Sequence, residues 1–145
     1  MRTCNEVMTK NPVCCLPGDP VAKVAQLMKS TDIGSVPIVE DERSKRLVGI
    51  VTDRDLAVKM VAEGRDAKTA TAEEVMSRSL VTCHPQDDVD TAVDAMSGNQ
   101  LRRLPVVDDN GKIVGIIAQA DVATRVNRSD ATASMVKEIS QTYPK

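Results

Sequence analysis

The apolar positions of the chain follow two periodicities, and the whole pattern occurs twice. Val21, Val24, Ala25 and Met28 stand at i, i+3, i+4 and i+7, and so do Val89, Ala92, Val93 and Met96. That spacing predicts two helices, each with one buried face. Each helix is followed by two short apolar runs: residues 36–39 (VPIV) with 47–51 (LVGIV), and residues 104–107 (LPVV) with 113–117 (IVGII). Each pair predicts a β-hairpin, and Asn110-Gly111 is the stronger of the two turn signals. A last helix is expected to begin near Asp53 in one case and near Gln119 in the other. Upstream, Thr3-x-x-Glu6 and Thr71-x-x-Glu74 have the form of capping boxes that open short helices. Short strands are predicted around residues 13–15 and 80–83. Asp19-Pro20 reads as an N-cap followed by proline at the first helical position, and Asp87 repeats the acid.

The second pattern is a copy of the first. Thr3, Glu6, Val7 and Met8 align with Thr71, Glu74, Val75 and Met76; Val13, Cys15, Pro17 and Asp19 align with Val81, Cys83, Pro85 and Asp87. Pro37 and Val39 meet Pro105 and Val107. After two extra residues in the first copy's ERSKR turn, Val48, Gly49, Ile50 and Asp55 meet Val114, Gly115, Ile116 and Asp121. Internal repetition of this kind defines the architecture: an α/β chain of two β-α-β-β-α repeats, residues 3–62 and 71–128. They are joined by a linker (62–72) with little apolar content. A repeat of about 60 residues buries only a marginal core. The two copies are therefore expected to pack sheet to sheet about a pseudo-twofold axis. Residues 129–145 are expected to be a tail with a short helix bearing Ala131, Met135, Val136 and Ile139 on one side.

Composition narrows the chemistry. Among 145 residues, 19 basic and 21 acidic side chains give a net charge of −2, which argues against a phosphate-backbone footprint and hence against nucleic acid as a partner. Phe and Trp are absent and Tyr143 is the only aromatic, so a planar ligand must sit between aliphatic walls rather than stack on rings. No apolar run reaches the ~18 residues of a membrane span, and the first ten residues lack a signal-peptide core. A cytoplasmic protein without a membrane partner is expected. The spacing of Cys4, Cys14, Cys15 and Cys83 matches neither a disulfide framework nor a zinc site, which suits buried reduced thiols. His84, the single histidine, reads as a solvated loop residue; a lone Cys83-His84 neighbour pair does not make a metal site.

The repeats resemble the CBS domain, named for cystathionine β-synthase, and two in tandem resemble a CBS pair, or Bateman module. In the first copy the resemblance rests on residues 7–9 (VMT), 33–39 (IGSVPIV) and 49–55 (GIVTDRD). In the second it rests on 75–77 (VMS), 101–107 (LRRLPVV) and 115–121 (GIIAQAD). It implies a stand-alone regulatory module without catalytic activity or a required cofactor. Adenosine-containing ligands (AMP, ADP, ATP, S-adenosylmethionine or NAD) are implied in clefts between the repeats, with a signal passed to an effector protein. It also implies a homodimer, its contacts placed on the last helices with Leu56, Met60, Val122 and Val126.

By the family pattern the hydroxyl of Thr52 contacts phosphate and the carboxylate of Asp55 accepts the ribose diol. Gly49 lets backbone approach a ligand. From spacing alone, Thr52-x-x-Asp55 reads as a helix cap ahead of a ligand site, and the repeat context reverses that order. In the second copy Ala118 replaces the hydroxyl residue while Asp121 remains, and an acid without a capping partner is harder to read as a cap. Arg102 and Arg103 are then the phosphate contacts that the resemblance implies, in keeping with guanidinium geometry. Walls for the base are expected from Asn11, Pro12, Val13, Ile33, Val36 and Pro37, and from Ser79, Leu80, Val81, Leu101 and Leu104. For each apolar residue among these, plain core is the competing reading. Two other functions stay open: a redox-responsive interaction protein using Cys14, Cys15 or Cys83, and a ligand-free adaptor.

Overall fold

The computed structural model describes residues 2–125; the tail helix expected within 129–145, and Val126, lie outside them. In chain order the elements are α1 (Cys4–Val7), β1 (Thr9–Lys10), α2 (Val21–Thr31), β2 (Ser35–Val39), β3 (Leu47–Thr52) and α3 (Asp53–Asp55), which runs into a π-helical turn (Leu56–Val61). Then come α4 (Ala72–Val75), α5 (Val89–Asn99), β4 (Arg103–Val107), β5 (Ile113–Ala118) and α6 (Gln119–Arg125). The mixed α/β class, the two amphipathic helices and both hairpins are those the periodicity predicts. Both capping boxes form, at Thr3 with Glu6 and at Thr71 with Glu74.

Two compact units cut across the sequence copies. A continuous unit holds residues 13–80, and a split unit joins residues 1–12 to the chain from Val81 onward. Each hairpin is therefore served by the opening segment of the other copy. In the split unit β1 adds to β5, with Thr9 opposite Ile116, giving the order β1-β5-β4. In the continuous unit Ser77 makes the matching contact as a single bridge to Ile50, each N–H donating to the other's carbonyl at 2.8 and 3.1 Å. The methionine of each opening segment lies over a strand glycine. A Cβ built on Gly115 would sit 2.8 Å from Met8 Cγ, and one on Gly49 would sit 2.7 Å from Met76 Cγ. Only glycine leaves room for this approach, so the space beside Gly49 is filled by Met76.

Each unit has its own core. Val21 and Val24 of α2 meet Val36, Ile38 and Val51 of the hairpin and Val75 of α4. Val89, Ala92, Val93 and Met96 of α5 meet Leu104, Val106 and Ile117, with Cys4, Val7 and Met8 from α1 and its end. Met60 and Val122, expected at a dimer contact, are core residues, and Leu56 packs against the core. The π-helical turn, closed by the Ala62 N–H donating to the Ala57 carbonyl, leaves Val58 and Val61 exposed instead.

Three local expectations are corrected. Residues 13–15 and 80–83 do not form strands; each makes one parallel bridge, Cys15 to Ile38 and Cys83 to Val106. The nearby Pro12, Pro17 and Pro85 lack the N–H groups that a longer ladder needs. Asp19 and Asp87 do not cap helices. Their carboxylates accept from the N–H groups of Leu16 and His84, closing the preceding turns. The free N–H groups at the start of α2 donate instead to carbonyls of the linker, Val21 to Ala70 and Ala22 to Ala67. For this reason Ala70 is buried although the linker looked merely polar, and Ala72, whose N–H donates to the Asp19 carbonyl, is buried with it.

The glycine contacts give an expectation of opposite signs. Gly49→Ala and Gly115→Ala should each cost about 1–3 kcal/mol by overpacking. Gly98→Ala, in α5 with open space around it, should stabilise by up to about 1 kcal/mol. Urea unfolding of the full chain measures all three, and equal midpoints for Gly49→Ala and wild type would contradict the packing argument.

Candidate functional site

Each unit presents the same junction, where the second strand of the hairpin turns into a helix beside the start of the first strand. In the continuous unit α2 ends at Asp32, held in the left-handed region at φ 54°, and the Ile33 N–H donates back to the Met28 carbonyl. This sharp reversal sends residues 33–37 along β3. Ser35 pairs opposite Thr52, and the Asp53 N–H donates to the Gly34 carbonyl at 2.8 Å. Gln100, at φ 58°, does the same after α5, so that Arg103 pairs opposite Ala118 and the Gln119 N–H donates to the Arg102 carbonyl.

At the first junction Thr52 and Asp55 form a reciprocal cap. The Thr52 N–H donates to Asp55 Oδ2 at 2.9 Å, its hydroxyl donates to the same oxygen at 3.1 Å, and the Asp55 N–H donates back to Thr52 Oγ1 at 3.1 Å. Lys59, one turn on, pairs with Asp55 Oδ1 at 3.2 Å and donates to the Val75 carbonyl at 2.9 Å. The carboxylate thus holds both the helix start and the α4 segment; Oδ2 is filled by the two Thr52 donors, and Oδ1 keeps one acceptor site beside Lys59. Across the ladder the Ser35 hydroxyl oxygen is buried and has no partner. Paired residues of an antiparallel ladder project to one face, so Ser35 and Thr52 share theirs.

The second junction replaces the missing hydroxyl from elsewhere. Asp121 Oδ2 accepts from the Ala118 N–H at 3.3 Å and from the Thr9 hydroxyl at 3.4 Å. Asp121 therefore does have a capping bond, and the hydroxyl absent at Ala118 is supplied by β1. Arg102 is exposed and Arg103 half-buried at the head of β4; among the described residues Arg103 makes no ion pair.

The remaining expected site residues divide between the units. Val13, Ile33, Val36 and Pro37 lie with Thr52 and Asp55; Asn11, Val81, Leu101 and Leu104 lie with Asp121 and the two arginines. Val36 and Leu104 are fully enclosed by their cores, whereas Val13 is 41% exposed, and Ile33, Val81 and Leu101 are half-buried. Asn11 is exposed in a left-handed conformation, φ 53°. Sequence reasoning missed Lys59 and Thr9. The i,i+4 spacing of Asp55 and Lys59 was a readable signal; the pairing of Thr9 with Asp121, 112 residues apart, was not.

The cysteines are reduced and mostly enclosed. Burial pushes the Cys14 thiol up, and burial with the Asp19 charge pushes Cys15 up to about 11, so both stay protonated and weakly nucleophilic near neutrality. His84 is exposed in its loop. Among the described residues no three His, Cys, Asp or Glu side chains gather as a metal site, and no helix is long and apolar enough to cross a membrane.

The two units thus repeat one arrangement, a hairpin whose second strand turns into a helix with an acid at the turn, which is the architecture of a tandem α/β repeat. The chain belongs to the CBS domain family, whose model matches residues 4–62 and 72–128. It is 36% identical over 140 residues to the CBS domain-containing protein YhcV of Bacillus subtilis, covering 97% of this chain and 96% of the relative. Hypoxic response protein 1 of Mycobacterium tuberculosis is 34% identical over 123 residues, 85% of this chain and 84% of that one. A crystal structure of that protein with two coordinated zinc ions superposes with a TM-score of 0.79 at 32% identity, covering 87% of this chain and all of the other. The CBS domain pair of protein MJ0100, solved with 5′-methylthioadenosine and S-adenosyl-L-methionine, superposes with a TM-score of 0.73 at 31% identity, covering 85% and 94%.

The reciprocal cap sets an expectation that needs no ligand. Thr52→Ala should cost about 1 kcal/mol of folding stability, and Thr52→Ser should restore most of it, as read from chemical denaturation.

Proposed function

We propose that the chain is a regulatory sensor of adenosine-containing ligands, with AMP, ADP, ATP, S-adenosylmethionine and NAD as the candidate set, acting on a partner protein in the cytoplasm. The observation that carries this reading is the repeated strand-to-helix junction with an acid at the same place in both units, Asp55 and Asp121. MJ0100, related at 31% identity, binds two adenosine derivatives in its own CBS pair. A vicinal diol offers two donors; Asp55 Oδ1 has one acceptor site open and Oδ2 regains one when the Thr52 hydroxyl turns away. Thr52 would reach a phosphate by turning its hydroxyl proton away from Asp55, exchanging one acceptor for another of stronger charge. The partnerless Ser35 hydroxyl on the same face is a further polar contact.

The second junction differs in chemistry. Arg102 and Arg103 stand where the first has Gly34 and Ser35, so it would favour more highly phosphorylated ligands. Ile33 and Val13, and Leu101 and Val81, would flank the base with partly exposed aliphatic surface. Val36 and Leu104 would act from beneath, and Asn11 and Pro37 through backbone polar groups. Nothing in this reading calls for a catalytic group or a permanent cofactor.

Calorimetric titration tests the assignment. Asp55→Ala should weaken AMP binding about ten- to a hundredfold, the equivalent of a charge-assisted hydrogen-bond set worth roughly 1.5–3 kcal/mol. Thr52→Ala should weaken AMP more than adenosine, and Arg103→Ala should weaken ATP more than AMP. Unchanged binding in Asp55→Ala, with stability matched to wild type, would favour a ligand-free adaptor.

Assembly is tested separately. We expect a homodimer of twice the chain mass, twofold dimers being the commonest soluble homo-oligomers, with Val58 (47% exposed) and Val61 (80% exposed) as contact residues. Light scattering at micromolar concentration should give the dimer mass for wild type and the monomer mass for Val58→Asp/Val61→Asp. A wild-type monomer would overturn this part of the reading.

A further inference from the structure

We propose that Cys4 and Cys83 form a reversible dithiol–disulfide pair that fastens the opening segment of the chain to the second repeat. The two Sγ atoms are 3.7 Å apart and both residues are buried, although they lie 79 residues apart in sequence. Closing to a disulfide bond of about 2.05 Å needs a movement of under ~2 Å. Side-chain rotation and a small shift of the four-residue α1 can supply it.

The internal repeat supplies a control. The counterparts of Cys4 and Cys83 are Ala72 and Cys15, which occupy the core of the continuous unit. Alanine satisfies the packing there, so a small buried side chain is all that the fold requires at this place. The split unit carries a second sulfur beyond that requirement, and the sulfur faces another thiol. Cys4 also carries the attachment of its segment: its N–H donates to the Asp87 carbonyl at 2.8 Å, and the next N–H, of Asn5, donates to Pro85 at 2.9 Å. A covalent bond at this point holds β1, and with it the Thr9 hydroxyl on Asp121, in place.

The chemistry follows from the hydrogen bonding. The Cys83 thiol donates to Cys4 Sγ, which holds the Cys4 thiol below its ordinary range, whereas this bond and burial push Cys83 up. Cys4 lies on the short α1, so local opening exposes it first; it is the nucleophile and Cys83 the resolving thiol. A hydroperoxide is the oxidant. Cys4 thiolate attacks its terminal oxygen, the O–O bond breaks and Cys4 becomes a sulfenic acid, with the departing alkoxide or hydroxide taking a proton. Cys83 sulfur then attacks Cys4 sulfur and releases water, the Cys83 proton leaving with the hydroxyl. Two thiols and one hydroperoxide give one disulfide, one alcohol or water, and one water. Access comes through local opening of the short α1 segment, since such chain ends lie at the low end of the local stability range.

This inference stands apart from the nucleotide reading, and its test uses the full-length chain without ligand. The protein is treated with hydrogen peroxide, blocked with an alkylating agent, digested without reduction and mapped by mass spectrometry. One crosslinked peptide joining Cys4 to Cys83 is expected, 2 Da lighter than the two reduced peptides together, and it should vanish after dithiothreitol. The oxidised protein should melt higher by on the order of 5–10 °C, the effect of closing a long loop, and Cys83→Ala should show neither the crosslink nor the rise. Alkylated or sulfonic Cys4 and Cys83 in separate peptides would overturn the proposal, as would a crosslink only between chains or through Cys14 or Cys15. The wild-type map decides the matter even if the variant folds poorly.

Discussion

Methionine over glycine is the contact on which the arrangement turns. Met8 lies across Gly115, and Met76 across Gly49, each filling the place where any other strand residue would carry its side chain. A hydrophobic side chain seated this closely gains dispersion contacts along its whole length and excludes water from the strand beneath. The seat also sets register. With Met8 on Gly115, Thr9 falls opposite Ile116; with Met76 on Gly49, Ser77 meets Ile50. A one-residue slip would put the methionine on a β-branched neighbour and turn the pattern inside out.

From this seat the chemistry of the junctions follows. Three residues beyond Gly49, β3 ends at Thr52, whose cap with Asp55 begins the next helix. Lys59 ties that carboxylate to the Val75 carbonyl, so the segment bearing Met76 and the acid at the junction are joined by one ammonium group. In the split unit the tie runs through the Thr9 hydroxyl instead. The same geometry is thus reached with different groups, a cation in one unit and a neutral hydroxyl in the other, and the electrostatic surroundings of the two acids differ accordingly.

What the sequence could disclose was set by range. The α2 and α5 faces, both hairpins and the opening caps are written in residues three to ten apart, where local periodicity and turn chemistry decide the outcome. Internal repetition made the acids of both junctions visible for the same reason. The exchange of opening segments was not visible, because an aligned repeat gives the same letters whether Met8 serves its own copy or the other. Gly49 shows the effect at one residue: its small size was legible, but its neighbour was a methionine from the far copy rather than a ligand. Asp19 shows a second limit. Its spacing suited a helix cap, yet the linker carbonyls of Ala67 and Ala70 took those N–H groups and left the carboxylate to the preceding turn.

The split unit also orders events during synthesis. The continuous unit has all its residues once position 80 has left the ribosome, whereas Thr9 and Lys10 of β1 pair with β5, more than a hundred positions later. At ordinary translation speeds the nascent chain carries that segment unpartnered for roughly five to twenty seconds. Its apolar stretch, Val7-Met8, is shorter than the five- to seven-residue windows that drive aggregation. Loop closure over that distance must precede any reward from the pairing, so β1 is expected to dock on β5 after both hairpins have formed.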